Sequence, residues 1–139
     1  MLLVRHASAG DPARWQGADA DRPLDGRGQE QAADLVDLLA RFAIDRILTS
    51  PALRCVETVS PLAAARGLEI ERRDDLGIER QSVEGAALVY DLAGADVVLC
   101  GHGGLELALP HSPRWRKSAV LVVDAGLNVV EKLRPSRRD

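Results

Sequence analysis

Four residues of this chain have side chains suited to handling a phosphoryl group. They are Arg5 and His6 in "LLVRHASAG", Arg54 in "TSPALRCVET" and His102 in "CGHGG". Two guanidinium forks hold a tetrahedral phosphate through paired, charge-assisted hydrogen bonds, which lysine ammonium groups do with less geometric definition. The same forks stabilise the charge on a phosphoryl group in transit, the main catalytic task in such reactions. A neutral imidazole in line with phosphorus is a nucleophile, and water later hydrolyses the phosphohistidine it forms. One histidine attacks in this scheme; the other, kept cationic by the phosphate, adds a hydrogen bond to the transferred group. The scheme needs neither metal nor cofactor, and the three histidines lack the close spacing of a zinc site. The third, His111 in "LPHSPRW", reads as a surface residue of a proline-rich loop.

These side chains must be brought together by alternating strands and helices. Leu2–Val4, Ile44–Leu48, Leu68–Ile70 and Val97–Cys100 are apolar runs of strand length, the third the weakest of the four. Between the first two, Gln29–Ala43 carries Ala32, Leu35, Val36, Leu39 and Phe42 at helical spacing. A second helix is expected from "SPALRCVET", with Ser50 as its cap, Pro51 in its first turn and Gly67 at its end. Pro61 lies inside it, leaving either a kinked helix or two shorter ones. A third helix is expected over Val83–Leu92 and a short one after Gly104, before "SAVLVVDAGLNVVEKL" forms an antiparallel hairpin with Gly126 at positive φ in its turn. This order predicts an α/β fold: a mostly parallel central sheet, helices on both faces, and an antiparallel C-terminal hairpin. In such sheets ligands sit beyond the carboxyl ends of the strands. Arg5, His6 and His102 fall at strand ends, and Arg54 falls in the first turn of a helix after one, where the free N–H groups favour an anion.

Composition limits what else the chain does. At 139 residues and 46% hydrophobic it has material for one core, so a single domain over 1–139 is expected, with residues 134–139 a flexible tail. A net charge of −3 and 3% aromatic residues argue against a nucleic-acid partner. No apolar run approaches the roughly 20 residues that span a membrane, so neither a membrane nor a secretory leader is expected, and the cytoplasm is the expected location. Cys55 and Cys100 offer no disulfide framework and read as reduced thiols. "GHGGLE" departs from a dinucleotide fingerprint at Glu106, and the lysine-bearing phosphate loop of ATPases is absent. Composition does not fix the oligomeric state.

"LVRHASAG", "RPLDGRG", "TSPALRCVET" and "CGHGG" resemble, in order and spacing, the motifs of the histidine phosphatase superfamily, also called phosphoglycerate-mutase-like. The resemblance runs from about Leu2 to Gly104 and is greatest to the compact branch, the SixA-like phosphohistidine phosphatases and the phosphatase-like domains attached to some bacterial Nudix hydrolases. It implies His6 as nucleophile and Arg5, Arg54 and His102 as phosphate-pocket residues. Two departures stand out. Ala7 replaces the glycine of an RHG motif and puts a methyl group close to the pocket. The proton-donating glutamate of many members has no clean match, Glu79 and Glu84 being the candidates. Glu79 is preferred because it follows Leu76 in the loop before the third helix, whereas Glu84 is expected to face solvent. A phosphoramidate departs without a strong dedicated acid, so a weak donor motif suits phosphohistidine better than phosphoglycerate. Arg14, Trp15 and Arg22, in the long first loop, are candidates for the pocket rim. The implied activity is a metal-independent phosphatase acting on protein phosphohistidine. A phosphomonoesterase for nucleotides or other small metabolites and a non-catalytic phosphate-binding module are the alternatives. In each case the partner is a phosphorylated molecule.

Overall fold

A computed structural model describes residues 1–135; residues 136–139, most of the expected tail, lie outside the described residues. Six strands form one sheet in the order β3-β2-β4-β1-β5-β6: β1 (Leu2–Arg5), β2 (Arg46–Thr49), β3 (Ile70–Arg72), β4 (Val97–Gly101), β5 (Val120–Val123) and β6 (Val129–Leu133). The four strands β3, β2, β4 and β1 are mutually parallel, while β5 is antiparallel to both β1 and β6. Among the described residues three α-helices accompany them: α1 (Gly26–Leu38), α2 (Leu53–Arg66) and α3 (Ala86–Asp91).

The sheet is covered on both faces because its central strands are apolar on both. Leu2, Val4, Val98 and Cys100 pack with Leu35, Leu39, Cys55, Val59 and Leu62 of the α1–α2 layer. Leu3 and Leu99 point the other way, into a core shared with Leu76, Leu88, Val89, Leu105 and Trp115. Alternate side chains of one strand thus fill two cores, as the period of two demands.

Several boundaries differ from the sequence expectation for local reasons. α1 starts at Gly26, three residues before Gln29, because the Asp25 carboxylate caps it, accepting from Gly28 N–H at 2.7 Å. It ends at Leu38, yet Leu39 and Phe42 still pack on the core from the turn that follows. α2 begins at Leu53, not at Ser50 or Pro51, because Ser50 N–H continues the sheet by bonding the Cys100 carbonyl at 2.9 Å. The helix then runs unbroken through Pro61 and stops at Gly67, whose φ of 64° is the left-handed conformation that favours glycine. The expected third helix opens as a wide turn over Gln81–Gly85, and only Ala86–Asp91 is α-helical. In the hairpin the positive φ falls on Leu127, at 63°, and not on Gly126. The Asp124 carboxylate accepts from the N–H groups of both Gly126 and Asn128 and so shapes that turn without needing glycine's freedom. Among the described residues no helix is long and apolar enough to cross a membrane.

Candidate active site

The carboxyl ends of β1, β2 and β4 meet at one edge. His6 follows β1, and its N–H bonds the Gly101 carbonyl at 3.1 Å, which ties it to the end of β4. Its Nδ1 lies 2.8 Å from the Ala7 carbonyl oxygen. A carbonyl only accepts, so Nδ1 carries the hydrogen and Nε2 the free lone pair. Burial lowers the His6 pKa to about 4; the Ala7 hydrogen bond opposes this, while His102, Arg54 and Arg5 add to it. His6 is therefore neutral at ordinary pH, with a nucleophilic nitrogen already exposed as a lone pair.

His102 follows β4, 5.5 Å from His6 between ring centroids. Its Nε2 lies 2.8 Å from Ser50 Oγ, and its Nδ1 lies 3.4 Å from Arg54 Nη2. Because the guanidinium only donates, Nδ1 accepts here and Nε2–H faces the serine. The backbone beside it is held by Gln81, buried in the wide turn, whose Oε1 accepts from His102 N–H at 3.1 Å and whose Nε2 donates to the Gly103 carbonyl at 3.0 Å. Gly103 leaves room for Arg5, since a Cβ there would stand 3.0 Å from Arg5 Nη2 and 3.1 Å from its Cζ, and the guanidinium would have to give way. The small residues of "CGHGG" let the Arg5 guanidinium lie against the loop.

Both arginines are anchored at one end and unsatisfied at the other. Arg5 Nη1 donates to the Trp115 carbonyl at 2.8 Å. Arg54, only 2% exposed, donates from Nη1 and Nη2 to the carbonyl and carboxylate of Asp19, each at 2.9 Å. Arg5 Nε and Arg54 Nε are the two buried side-chain polar atoms without a hydrogen-bond partner among the described residues. Both guanidiniums act electrostatically on His6. A buried charged donor left unpaired is costly. Each arginine thus keeps one buried donor, its Nε, unpaired.

Arg22 does not sit at the rim as expected. It is buried, donating from Nη1 to the Ala9 carbonyl at 2.6 Å and from Nε to Asp19 Oδ1 at 3.3 Å. It holds the carboxylate that in turn holds Arg54. Burial alone would raise the Asp19 pKa, but the charge and hydrogen bond of Arg54 outweigh it and keep the carboxyl ionised. Arg14 is exposed in the one-turn segment Pro12–Arg14, and Trp15 donates from its ring to the Ala18 carbonyl at 2.9 Å. His111 is exposed, at a φ of 67°.

The remaining motif residues brace the loop after His6. Asp25 accepts from Ser8 Oγ at 2.7 Å and from Gly10 N–H at 3.0 Å besides capping α1. Gly28 passes so close to the Ser8 carbonyl that a Cβ would lie 1.9 Å from its oxygen. From α2, Thr58 Oγ1 accepts from Ala7 N–H at 2.9 Å, and Glu57 accepts from Leu24 N–H at 2.9 Å. The Ala7 methyl packs with Ala9, Leu24 and Ala32 and fills a small core. Asp19, Ser50, Thr58 and Gln81 were not evident as site residues from sequence. Their tertiary partners, more than 20 positions away, carry their roles.

A cavity of about 330 Å3 opens beside this centre, lined by Asp19, Ser50, Pro51, Arg54, Ile78, Glu79 and His102 among others. Glu79 therefore faces the cavity. Glu84 is exposed and pairs with Arg80 on a separate surface. Cys55 and Cys100 are free, buried thiols, with Cys55 Sγ 3.7 Å from His102 Nε2.

A doubly covered, mostly parallel sheet with two arginines and two histidines at its carboxyl edge defines a phosphate-handling α/β enzyme. The chain belongs to the histidine phosphatase superfamily (branch 1), whose family model matches residues 1–86. It is 43% identical over 63 residues to an 8-oxo-(d)GTP phosphatase of Mycolicibacterium smegmatis, covering 45% of this chain and 20% of that protein. It is 40% identical over 76 residues to phosphoserine phosphatase 1 of Hydrogenobacter thermophilus, covering 53% of this chain and 36% of that one. The matched segments thus span about a fifth and a third of those curated relatives. In structure it is similar to the protein histidine phosphatase SixA complexed with tungstate, with a TM-score of 0.79, 21% identity and 96% of each chain covered. It is also similar to a putative phosphohistidine phosphatase SixA from Agrobacterium tumefaciens, with a TM-score of 0.78, 28% identity and the same coverage.

Proposed function

We propose that this chain hydrolyses phosphohistidine on a protein, without metal, through a phospho-His6 intermediate. The observation that carries the mechanism is the pair of buried, unpartnered guanidinium nitrogens, Arg5 Nε and Arg54 Nε, on two arginines whose charges act on a histidine fixed as its neutral Nδ1–H form. The phosphoryl oxygens take these two donors. His6 Nε2 attacks phosphorus, an N–P bond forms, and the bond to the leaving group breaks as that group takes a proton. Water then attacks the phosphoryl group, the N–P bond breaks, and inorganic phosphate and neutral His6 are released. His102 turns its Nε2–H from Ser50 Oγ to a phosphoryl oxygen as the charge builds.

Glu79 is the proton donor of this proposal. It stands on an exposed stretch of the cavity wall and makes no side-chain hydrogen bond or ion pair among the described residues. Asp19 is the other carboxyl at the cavity, and its pairing with Arg54 keeps it ionised, so it serves as an anchor and not as an acid. An imidazole leaving group asks less of Glu79 than an alkoxide does. The near-complete mutual coverage with the two SixA structures supports the same substrate class. The nucleotide reading is kept because of the stretch shared with an 8-oxo-(d)GTP phosphatase.

Phosphate release in EDTA from a phosphohistidine peptide, p-nitrophenyl phosphate, 8-oxo-dGTP and a nucleoside monophosphate separates these readings. The expected result is highest kcat/KM on the phosphohistidine peptide, unchanged by EDTA. Faster turnover of either nucleotide would replace the substrate assignment. Saturable phosphate binding that depends on Arg5 and Arg54, with no release from any substrate, would make the chain a binding module.

A further inference from the structure

A second depression, of about 390 Å3, is lined by Arg5, Ser8, Arg27, Gln31, Arg116, Lys117 and Arg134. Five of its seven residues are cationic and none is acidic, in a chain whose net charge is −3. The cations come from four separate places: the end of β1, the first turn of α1, the loop before β5, and the residue after β6. None of Arg27, Arg116, Lys117 and Arg134 forms an ion pair among the described residues. The neighbouring Asp25 does not neutralise them by contact, since its oxygens are taken by Ser8 Oγ and the N–H groups of Gly10 and Gly28. Gln31 Oε1 accepts from Ser8 N–H at 3.0 Å, which leaves its amide nitrogen as a further donor.

We propose that this groove binds an acidic segment of the protein that carries the scissile phosphohistidine. Like charges gathered from four segments repel one another, and a run of carboxylates laid across them relieves that repulsion and steers encounter. The shape favours an extended chain over a small ligand. Small-molecule pockets are concave and largely apolar, whereas this depression is open, has no apolar side chain in its lining, and takes four of its cations from exposed positions. Arg5 is common to the groove and the phosphate site, so a bound acidic segment lies next to the reacting phosphoryl group. The protein-substrate part of this statement rests on the proposed function; the acidic-chain part does not.

The test is fluorescence anisotropy with a labelled octaglutamate peptide at low salt, on wild type, on Arg27→Gln/Lys117→Gln, and on Arg41→Gln/Arg72→Gln, which loses the same charge elsewhere. Neither double variant alters the phosphate site, so p-nitrophenyl phosphate turnover should stay at the wild-type rate in both. Binding should weaken about tenfold or more in the groove variant alone. An octaglutamine peptide should not bind, and kcat/KM on a phosphohistidine peptide with acidic flanks should fall in the groove variant while a neutral-flanked one is unaffected. Equal octaglutamate binding by all three proteins, or none by wild type, overturns the groove. Displacement of the peptide by tripolyphosphate at much lower concentration than by unlabelled octaglutamate also overturns it, in favour of a condensed-phosphate ligand. Groove-dependent octaglutamate binding with no turnover of either phosphohistidine peptide leaves the acidic-chain site standing and removes the phosphohistidine reading instead.

Discussion

The two flanks of the phosphate site are built differently. On the β1–α1 flank the loop after His6 is fixed from three directions: by Asp25 and Gly28 at the start of α1, by Thr58 and Glu57 of α2, and by Arg22 through the Ala9 carbonyl. On the β3–α3 flank Ile78 and Glu79 are exposed, and the nearest buried residues are Leu76 before them and Gln81 after them. Nucleophile and arginines therefore sit on rigid supports, while the wall that meets the leaving group is lightly held. Attack geometry tolerates little displacement, whereas leaving groups vary, and the two flanks reflect that division.

Substitutions on the braced flank should cost most. Gly28→Ala places a methyl group against the Ser8 carbonyl, and backbone must move to relieve it. A loss of roughly 3 kcal/mol or more is expected, seen as a lowered denaturant midpoint at unchanged m-value, or as failure to fold. Thr58→Val strands the buried Ala7 N–H and should cost about 1–3 kcal/mol, with kcat falling because the His6 loop loosens. Stability equal to wild type in both variants would erase the contrast between the flanks.

A pH series gives an intermediate effect. With His6 lowered by burial to about 4, the unfolded chain, with its ordinary histidine near 6.5, takes up the proton first. Stability should fall as pH drops from about 6.5 to about 4, by up to roughly 3 kcal/mol from this group, and no further on its account below that. His6→Ala should flatten that part of the profile. The acid limb of kcat/KM should likewise lie nearer 4 than 6.5, since the free enzyme must hold His6 neutral.

The open flank should show the smallest and most substrate-dependent effects. Glu79→Gln is expected to slow an alkyl phosphate ester by roughly a hundredfold while leaving a phosphohistidine peptide within about twofold. Ile78→Ser should leave stability within about 0.5 kcal/mol, because Ile78 is 58% exposed. Equal losses on both substrates for Glu79→Gln would show that the donor matters as much for imidazole as for an alkoxide, against the substrate argument.

The same contrast explains what could be read from sequence. Arg5, His6 and His102 could be placed at one sheet edge from the strand ends that alternation predicts, Arg54 from the start of the helix after β2, and the four together from the ordered motifs. The sheet was legible from the apolar runs, with strand limits shifted by a few residues. The braces were not. Asp25 looks like any turn aspartate until Ser8 is seen beside it, and Ser50 reads as a helix cap until its hydroxyl is found on His102. Arg22 reads as a rim residue by its place in a loop, yet it is buried against Ala9 and Asp19. Gly126 suggested a turn conformation that Asp124 made unnecessary by bonding the backbone itself, leaving Leu127 with the positive φ. Local pattern reports local structure; partners distant in sequence decide the rest.

The central claim is a covalent phosphoryl group on His6, and rapid quenching into alkaline detergent tests it most directly, because phosphohistidine survives base. Peptide mapping of wild type quenched during turnover should find one phosphoryl group on the peptide containing His6, at Nε2, and none anywhere in His6→Ala, whose turnover should fall at least about a thousandfold. Sustained turnover by His6→Ala, or a phosphoryl group trapped on another residue, would contradict the account.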